Sequence, residues 1–302
     1  MARVDPGVLD GVLGAWTSAA AGDLAAQAAI AVDGKSARGA RRPDGSRVPL
    51  FAATTHGTAI PLGQVQAATK GYEIAAFATV LDRVDLHGRV ITADALHTQR
   101  AHAHYLHRHG GHYVFTVKRN QPSLHERLEA LPWAQVPIGH TSTSRGHGRT
   151  EQRAIQLIST LHPGLGFPHA RLAARIVRTR TTSAGARTRE IVYAIGDLSD
   201  QQADAARIAA LVRGHWVIEN QLHWVRDVTL GEDAHQLRTG SAPQAMATCA
   251  TPPWHCCGSP ARAPSPPPPR RSPAASHVSW PSSNPNREPL SHHDKVDFEE
   301  WP

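Results

Sequence analysis

Hydrophobic and polar positions follow two alternating periods along the first 248 residues, and then the pattern stops. Val8, Leu9, Val12, Leu13 and Trp16 have helical spacing within Val8 to Ala21, although Gly11 and Gly14 weaken it. Ala28 to Val32 is a short apolar run that ends in Asp33. Val48 to Thr54 and Ala59 to Ala67 read as two strands joined by a turn at His56-Gly57. Ile74 to Val84 returns to the helical period, and Arg89 to Ala93 is a second short apolar run, ending in Asp94. Thr98 to His109 reads as a helix closed by Gly110-Gly111, His112 to Lys118 as a strand, and Ser123 to Leu131 as a short helix. From Trp133 to Asp197 the pattern is β-type, with segments Arg153 to Ile158, Arg171 to Arg178 and Arg189 to Ile195. Helix resumes from Asp200 to about Thr229. Strand–helix alternation interrupted by a β-rich stretch predicts an α/β layer fold.

Composition changes the picture at Thr248. Of 23 prolines, 13 fall in the last 54 residues, with Pro266 to Pro269 in a row and eight serines alongside. Such a segment buries too little apolar surface to offset chain entropy, so 248–302 is expected to be a disordered Pro/Ser-rich tail. A shifted reading frame is the competing expectation. The pattern of Glu232 to Ala247 leads toward a helix that the sequence does not continue, and all three cysteines (Cys249, Cys256, Cys257) appear after the break. The 28 arginines against four lysines fit GC-rich coding DNA. With no cysteine before residue 249 the main body has no disulfide, which suits a reducing cytoplasm. No run of 18 apolar residues and no secretion signal is visible, and so no membrane partner is expected. The net charge of +7 resides in residues 1–248, with 27 basic and 20 acidic side chains there against five and five beyond. It leans toward a polyanionic partner.

Candidate chemistry begins with the two aspartates. Asp33 and Asp94 each follow an apolar strand, and functional groups of α/β sheets collect at the carboxyl ends of strands. On neighbouring strands they would lie a few ångströms apart, where a divalent cation relieves their repulsion. A plain helix-capping role is the alternative for each. Further on, His215, Glu219, His223 and Asp227 are spaced by four, predicting one helical face, while Trp216, Val217 and Val228 point to packing. Asp and Glu ligands without cysteine favour Mg²⁺ or Mn²⁺, and a pair of such ions clamps the attacking and leaving oxygens of a phosphoryl displacement.

The segments IAVDGK, ITADALHTQ, HYVFTVKRNQ, GHGRTEQR (146–153), YAIGDL (193–198) and HWVIENQLHWVRDVTLGED occur in an order that resembles the H-repeat-associated branch of DDE-class insertion-sequence transposases. The resemblance runs from about residue 5 to 247. It implies an RNase H-like mixed sheet with flanking helices and a β-rich insertion before the glutamate. The expected division is 1–27 as the remnant of an N-terminal helical region, 28–132 and 198–247 as the two parts of the core, and 133–197 as the insertion. By position it assigns Asp33, Asp94 and Glu219 as the catalytic triad holding two Mg²⁺ (or Mn²⁺) ions. The implied activity is strand cleavage and transfer at inverted-repeat ends of double-stranded DNA, by a homodimer in the DNA complex. Rival readings are a catalytically inactive DNA-binding remnant and a metal-dependent nuclease of the same fold. Three positions depart from the family's pattern: Arg226 stands where an apolar residue is expected, His112 where Asp is usual, and Ala245 where Asn is usual. Both ends read as truncated against the family.

Lys118, Arg119 and Asn120 after the HYVFTVK strand, with Arg149 and Arg153, are the candidate DNA contacts. Each also reads as part of a solvated basic edge, as do Arg178 and Arg180. His97, His102, His104, His107, His109 and His112 crowd one segment but fit no closed zinc spacing, so a solvated, titrating helix surface is expected. Trp216 and Trp224 are expected in the core.

Overall fold

A computed structural model describes residues 4–22, 28–41, 45–67, 73–146, 148–159, 165–234, 237 and 239–250. The tail expected at 248–302 lies outside the described residues from 251 onward. Helix α1 (Pro6–Ala21) leads to strands β1 (Ile30–Arg41), β2 (Arg47–Thr55) and β3 (Pro61–Gln66). Next come α2 (Glu73–Leu81), β4 (Val90–Ala93), α3 (Arg100–Arg108), β5 (His112–Val117) and α4 (Pro122–Glu129). Strands β6 (His140–Gly146), β7 (Arg149–Ser159), β8 (Leu172–Thr182) and β9 (Arg187–Gly196) follow. Helix α5 (Ala205–Gly214) continues into two π-helical segments, Ile218–His223 and Val225–Thr229, and α6 (Ala242–Cys249) ends the described chain.

All nine strands join one sheet in the order β3-β2-β1-β4-β5-β9-β8-β7-β6. The β1–β4 and β4–β5 pairs are parallel and the other pairs antiparallel, so the mixed α/β sheet expected from the pattern is present. On one face Phe77, Leu81, Tyr105, Leu106 and Leu128 from α2, α3 and α4 cover Val32, Phe51, Ile91, Phe115 and Ile195. On the other, Ile208 and Leu211 of α5 cover Val90, Val114, Ala174 and Ala194. The β-rich stretch extends the same sheet, because β9 pairs with β5 through Phe115↔Ile195.

The structure corrects several expectations. Asp33 is the fourth residue of a twelve-residue strand and does not end it. Parallel pairing with β4 stops at Val32↔Ala93, and β1 runs on beside β2 alone through Ala37↔Val48 and, past a register shift, to Arg41↔Arg47. Asp33 thus ends the parallel ladder while the strand continues. A fourth β segment, β6, was missed because HTSTSRG is polar on both faces, as suits an edge strand. The stretch leading out of Glu232 itself holds a short helix: α6 buries Ala242, Ala245, Ala247 and Thr248, with Ala247 packed among Ala37, Ala40, Val48 and Leu50, and whatever follows it lies outside the described residues. Its alanines carry too weak an apolar signal to read as a helix face. Ala245, where the family's pattern has Asn, is buried as well.

Candidate functional site

Alternation along β1 sends Ile30 and Val32 into the α2/α3 side of the core, and Ala31, Asp33 and Lys35 to the opposite face. The same alternation along β4 puts Val90 and Thr92 on that second face, and the extended backbone of Asp94 carries it there too. The helix that leaves α5 lies across this face. Val217, Ile218 and Leu222 pack on Ala31 and Ala52, Glu219 and His223 stand over Asp33, and Asp227 is ion-paired with Lys35. The expected four-residue stripe is therefore only partly realised. Glu219 and His223 share a side, while Asp227 turns to Lys35, because π-helical bonding closes i→i+5 loops and its wider turn rotates each successive step of four.

One ligand atom each from Asp33, Glu219 and His223 lie within 4.8 Å of one another. His223 Nδ1 is 3.7 Å from Asp33 Oδ2 and 3.6 Å from Glu219 Oε2. Burial, then the Glu219 and Asp94 carboxylates, pushes the Asp33 carboxyl well above the usual range. His223 beside Glu219 draws that carboxyl down to about 2. Asp94, raised mainly by burial, follows β4 on the adjacent strand. It accepts a hydrogen bond from the Leu96 amide at 2.9 Å, the cap that was its alternative role. The structure thus brings Asp33 and Glu219 together with Asp94 beside them. It adds His223, whose spacing from Glu219 was visible in the sequence. The Asp33 side chain is 14% exposed and that of Glu219 47%, so the cluster opens to solvent on the helix side.

Two anchors hold the helix over the strands. Thr92 Oγ1 lies 2.8 Å from His56 Nε2 and 3.2 Å from His215 Nδ1, and burial lowers both imidazoles to about 4, keeping them neutral. At Gly214 an added Cβ would come 2.3 Å from His56 Nδ1, so only glycine fits where α5 passes this ring. The second anchor is Arg226, 1% exposed, which donates to Glu232 at 3.1 and 2.5 Å and to Gln64 at 2.6 Å. Lys35 Nζ lies 3.7 Å from Glu232. An arginine where the family's pattern calls for an apolar residue is accommodated because its charge is paired within the fold.

The candidate DNA contacts fall into two groups. Lys118 and Arg119 are exposed just after β5, and the Lys118 ammonium helps lower Asp94 against its burial. Asn120 Nδ2 donates to the Ala95 carbonyl at 2.8 Å, tying the turn after Asp94. Arg149 and Arg153 stand apart from the carboxylates on β7, where Arg153 pairs with Glu151 at 2.6 Å. Arg178 and Arg180 do not form an exposed edge: β8 is an inner strand, and Arg178 is 7% exposed, 3.4 Å from Glu151 and 2.8 Å from Glu190. His97 and His102 are likewise buried, His97 at the end of the short turn after Asp94 and His102 on α3, stacked on Phe77 of α2 at 3.8 Å. His112, in place of the usual Asp, lies 3.3 Å from Asp197. Trp216 and Trp224 are half-buried at the site's margin, and Val228 is 57% exposed rather than packed. No helix among the described residues is long and apolar enough to cross a membrane.

The mixed α/β sheet thus sets a strand-borne aspartate against a glutamate and a histidine from a crossing helix. Residues 25–250 match the transposase DDE domain family, a span that contains every residue of this site. The chain belongs to that family, whose general chemistry is phosphoryl transfer on nucleic acid. It is 30% identical over 234 residues to "Putative transposase YncI" of Escherichia coli O157:H7, covering 70% of this chain and 57% of that protein. It is 29% identical over 229 residues to "H repeat-associated putative transposase YhhI" of Escherichia coli K12, covering 70% and 59%. The chain therefore spans less than two thirds of the length of these relatives. A chain of a piggyBac transposase synaptic complex with hairpin DNA is similar at a TM-score of 0.38 and 12% identity, covering 74% of this chain and 44% of that one. An overlap that loose bears no weight on function.

Proposed function

We propose that this chain carries the catalytic core of an insertion-sequence transposase, cutting double-stranded DNA at inverted-repeat ends and joining the cut end to a target. The observation that carries the reading is the convergence of Asp33 and Glu219, far apart in sequence, with Asp94 on the adjacent strand. The donor set fits two divalent cations, Mg²⁺ or Mn²⁺: three carboxylates crowd one face, and burial with the two neighbouring carboxylates holds the Asp33 carboxyl above its usual range. Such cations, when bound, stabilise charge on the attacking and leaving oxygens of a phosphodiester. Asp33 and Asp94 hold them from the sheet side and Glu219 from the helix side. Lys118 and Arg119 receive backbone phosphates beside Asp94, and Asn120 fixes the turn that presents it. Arg149 and Arg153 contact DNA farther from the carboxylates. Two copies act together on paired DNA ends, in the cytoplasm.

The test is nicking of a supercoiled plasmid carrying the element's ends. Wild-type protein nicks only with Mg²⁺ or Mn²⁺, and Asp33→Asn reduces nicking by about 10³-fold or more while DNA binding persists. Retained nicking in the variant overturns the assignment. Wild-type protein that binds DNA but never nicks is the inactive remnant, and nicking without joining to a second DNA is the plain nuclease.

A further inference from the structure

The Asp33–Glu219 pair is shared with a third donor that the carboxylate reading leaves idle. His223 is 4% exposed, and its Nδ1 faces both carboxylates at 3.6 and 3.7 Å. Those separations are long for hydrogen bonds but suit a shared cation. One donor atom each from Asp33, Glu219 and His223 lie within 4.8 Å of one another, close enough to converge on one ion. The other ring nitrogen, Nε2, is buried without a hydrogen-bond partner. A cation on Nδ1 would fix the proton on Nε2 and leave that edge unpaired, so it is Nδ1, facing both carboxylates, that points to the cation. The backbone aims the ring deliberately. His223 closes the first π-helical segment, whose opening residue Ile218 is packed against Ala31, so ring and carboxylates are held by one rigid contact between helix and strand.

We infer that His223 is a direct cation ligand, so that Asp33, Glu219 and His223 form a mixed oxygen–nitrogen site that prefers first-row transition cations such as Mn²⁺ over Mg²⁺. Imidazole is a borderline-soft donor that Mg²⁺ seldom accepts, whereas transition cations take it readily alongside carboxylates. The inference rests on the reading of Asp33 and Glu219 as cation-holding residues. Asp94 then serves a second ion with oxygen ligands only.

The experiment is electron spin-echo envelope modulation of Mn²⁺ bound to the full chain, with no DNA and no turnover. Wild-type protein is expected to show ¹⁴N modulation from one bound imidazole, which changes to a ¹⁵N pattern when the histidines are ¹⁵N-labelled. His223→Gln removes that modulation, and Mg²⁺ displaces Mn²⁺ from the wild type only at about tenfold excess or more. Mn²⁺ held without nitrogen modulation overturns the inference, as does modulation that survives in His223→Gln. The labelled wild-type spectrum stands on its own should the variant fail to fold. Asp33→Asn tests the underlying reading separately: if it binds Mn²⁺ as the wild type does, the carboxylate site itself is wrong. If it loses Mn²⁺ while the wild-type spectrum is free of nitrogen, only the role of His223 fails.

Discussion

Asp33 sits under a tension that a purely structural residue would not keep. Burial and two neighbouring carboxylates raise its proton affinity in the folded state above that in the unfolded chain. Folding therefore binds a proton there, and stability falls as pH rises from the ordinary carboxylate range through the raised value. Asp33→Asn removes the charge and keeps the shape. In chelator, this variant is expected to melt higher than the wild type, with about 2–4 °C gained for each kcal/mol. The gap is widest above the raised value and closes as pH falls toward the ordinary carboxylate range, as thermal melts between about pH 4 and 8 will show. A gap that does not change with pH would show that the carboxylate is not under electrostatic strain. Stability given up at one position that function uses is the expected trade. At this scale the sequence pointed to Asp33, Asp94 and Glu219, since the ends of apolar runs and helical spacing mark them. It was silent on Lys35 and Thr92, whose partners Asp227, His56 and His215 come from other elements.

The helix carrying Glu219 shows how an element can obey its local pattern and still surprise. Its apolar positions put Val217, Ile218 and Leu222 on the sheet as helical spacing requires. The π-helical winding then divides the polar stripe between Asp33 and Lys35. That winding begins just beyond Gly214 and the His56–Thr92–His215 bridge, where α5 can pass only because no Cβ stands against His56. Gly→Ala inside a helix ordinarily gains about 1 kcal/mol. Here Gly214→Ala is expected to cost about 1–3 kcal/mol, because the His56 ring is tied to Thr92 and cannot give way. In a His56→Ala background the same change should become neutral or favourable. Urea unfolding of the two single variants and the double variant measures the coupling, and simple additivity would show that the notch is not tight.

Across the molecule, one nine-stranded sheet joins the parallel core strands and the β-rich stretch without a break, so the carboxylates and the basic rungs of β7 and β8 belong to one frame. Helix α6 closes that frame beside the Glu219 helix, where Thr248 and Leu222 line one small cavity. Its small residues seat against β1 and β2, and Gln64 of β3 joins it to Arg226 and so to the Glu219 helix. A chain ending at residue 240 is expected to lose about 2–4 kcal/mol against the 302-residue chain, through the apolar surface that α6 covers. The urea midpoint of each chain decides this. An equal midpoint would make α6 an ornament rather than part of the core.

Periodicity by itself determined the succession of strands and helices and the α/β class, and it marked Asp33, Asp94 and the His215–Asp227 stripe as candidates, because each of those is written in local spacing: period two, period 3.6, and an acid at the end of an apolar run. The order of the segments carried the family. Tertiary structure alone decided which charges meet. Arg178 reads as an edge residue until β8 is placed between β7 and β9, and His97 and His102 read as surface until both rings meet Phe77 of α2. Arg226 reads as a misfit until Glu232 and Gln64 close around it. In each case the energy of a buried polar group depends on partners supplied by elements distant in sequence, and no local pattern records them.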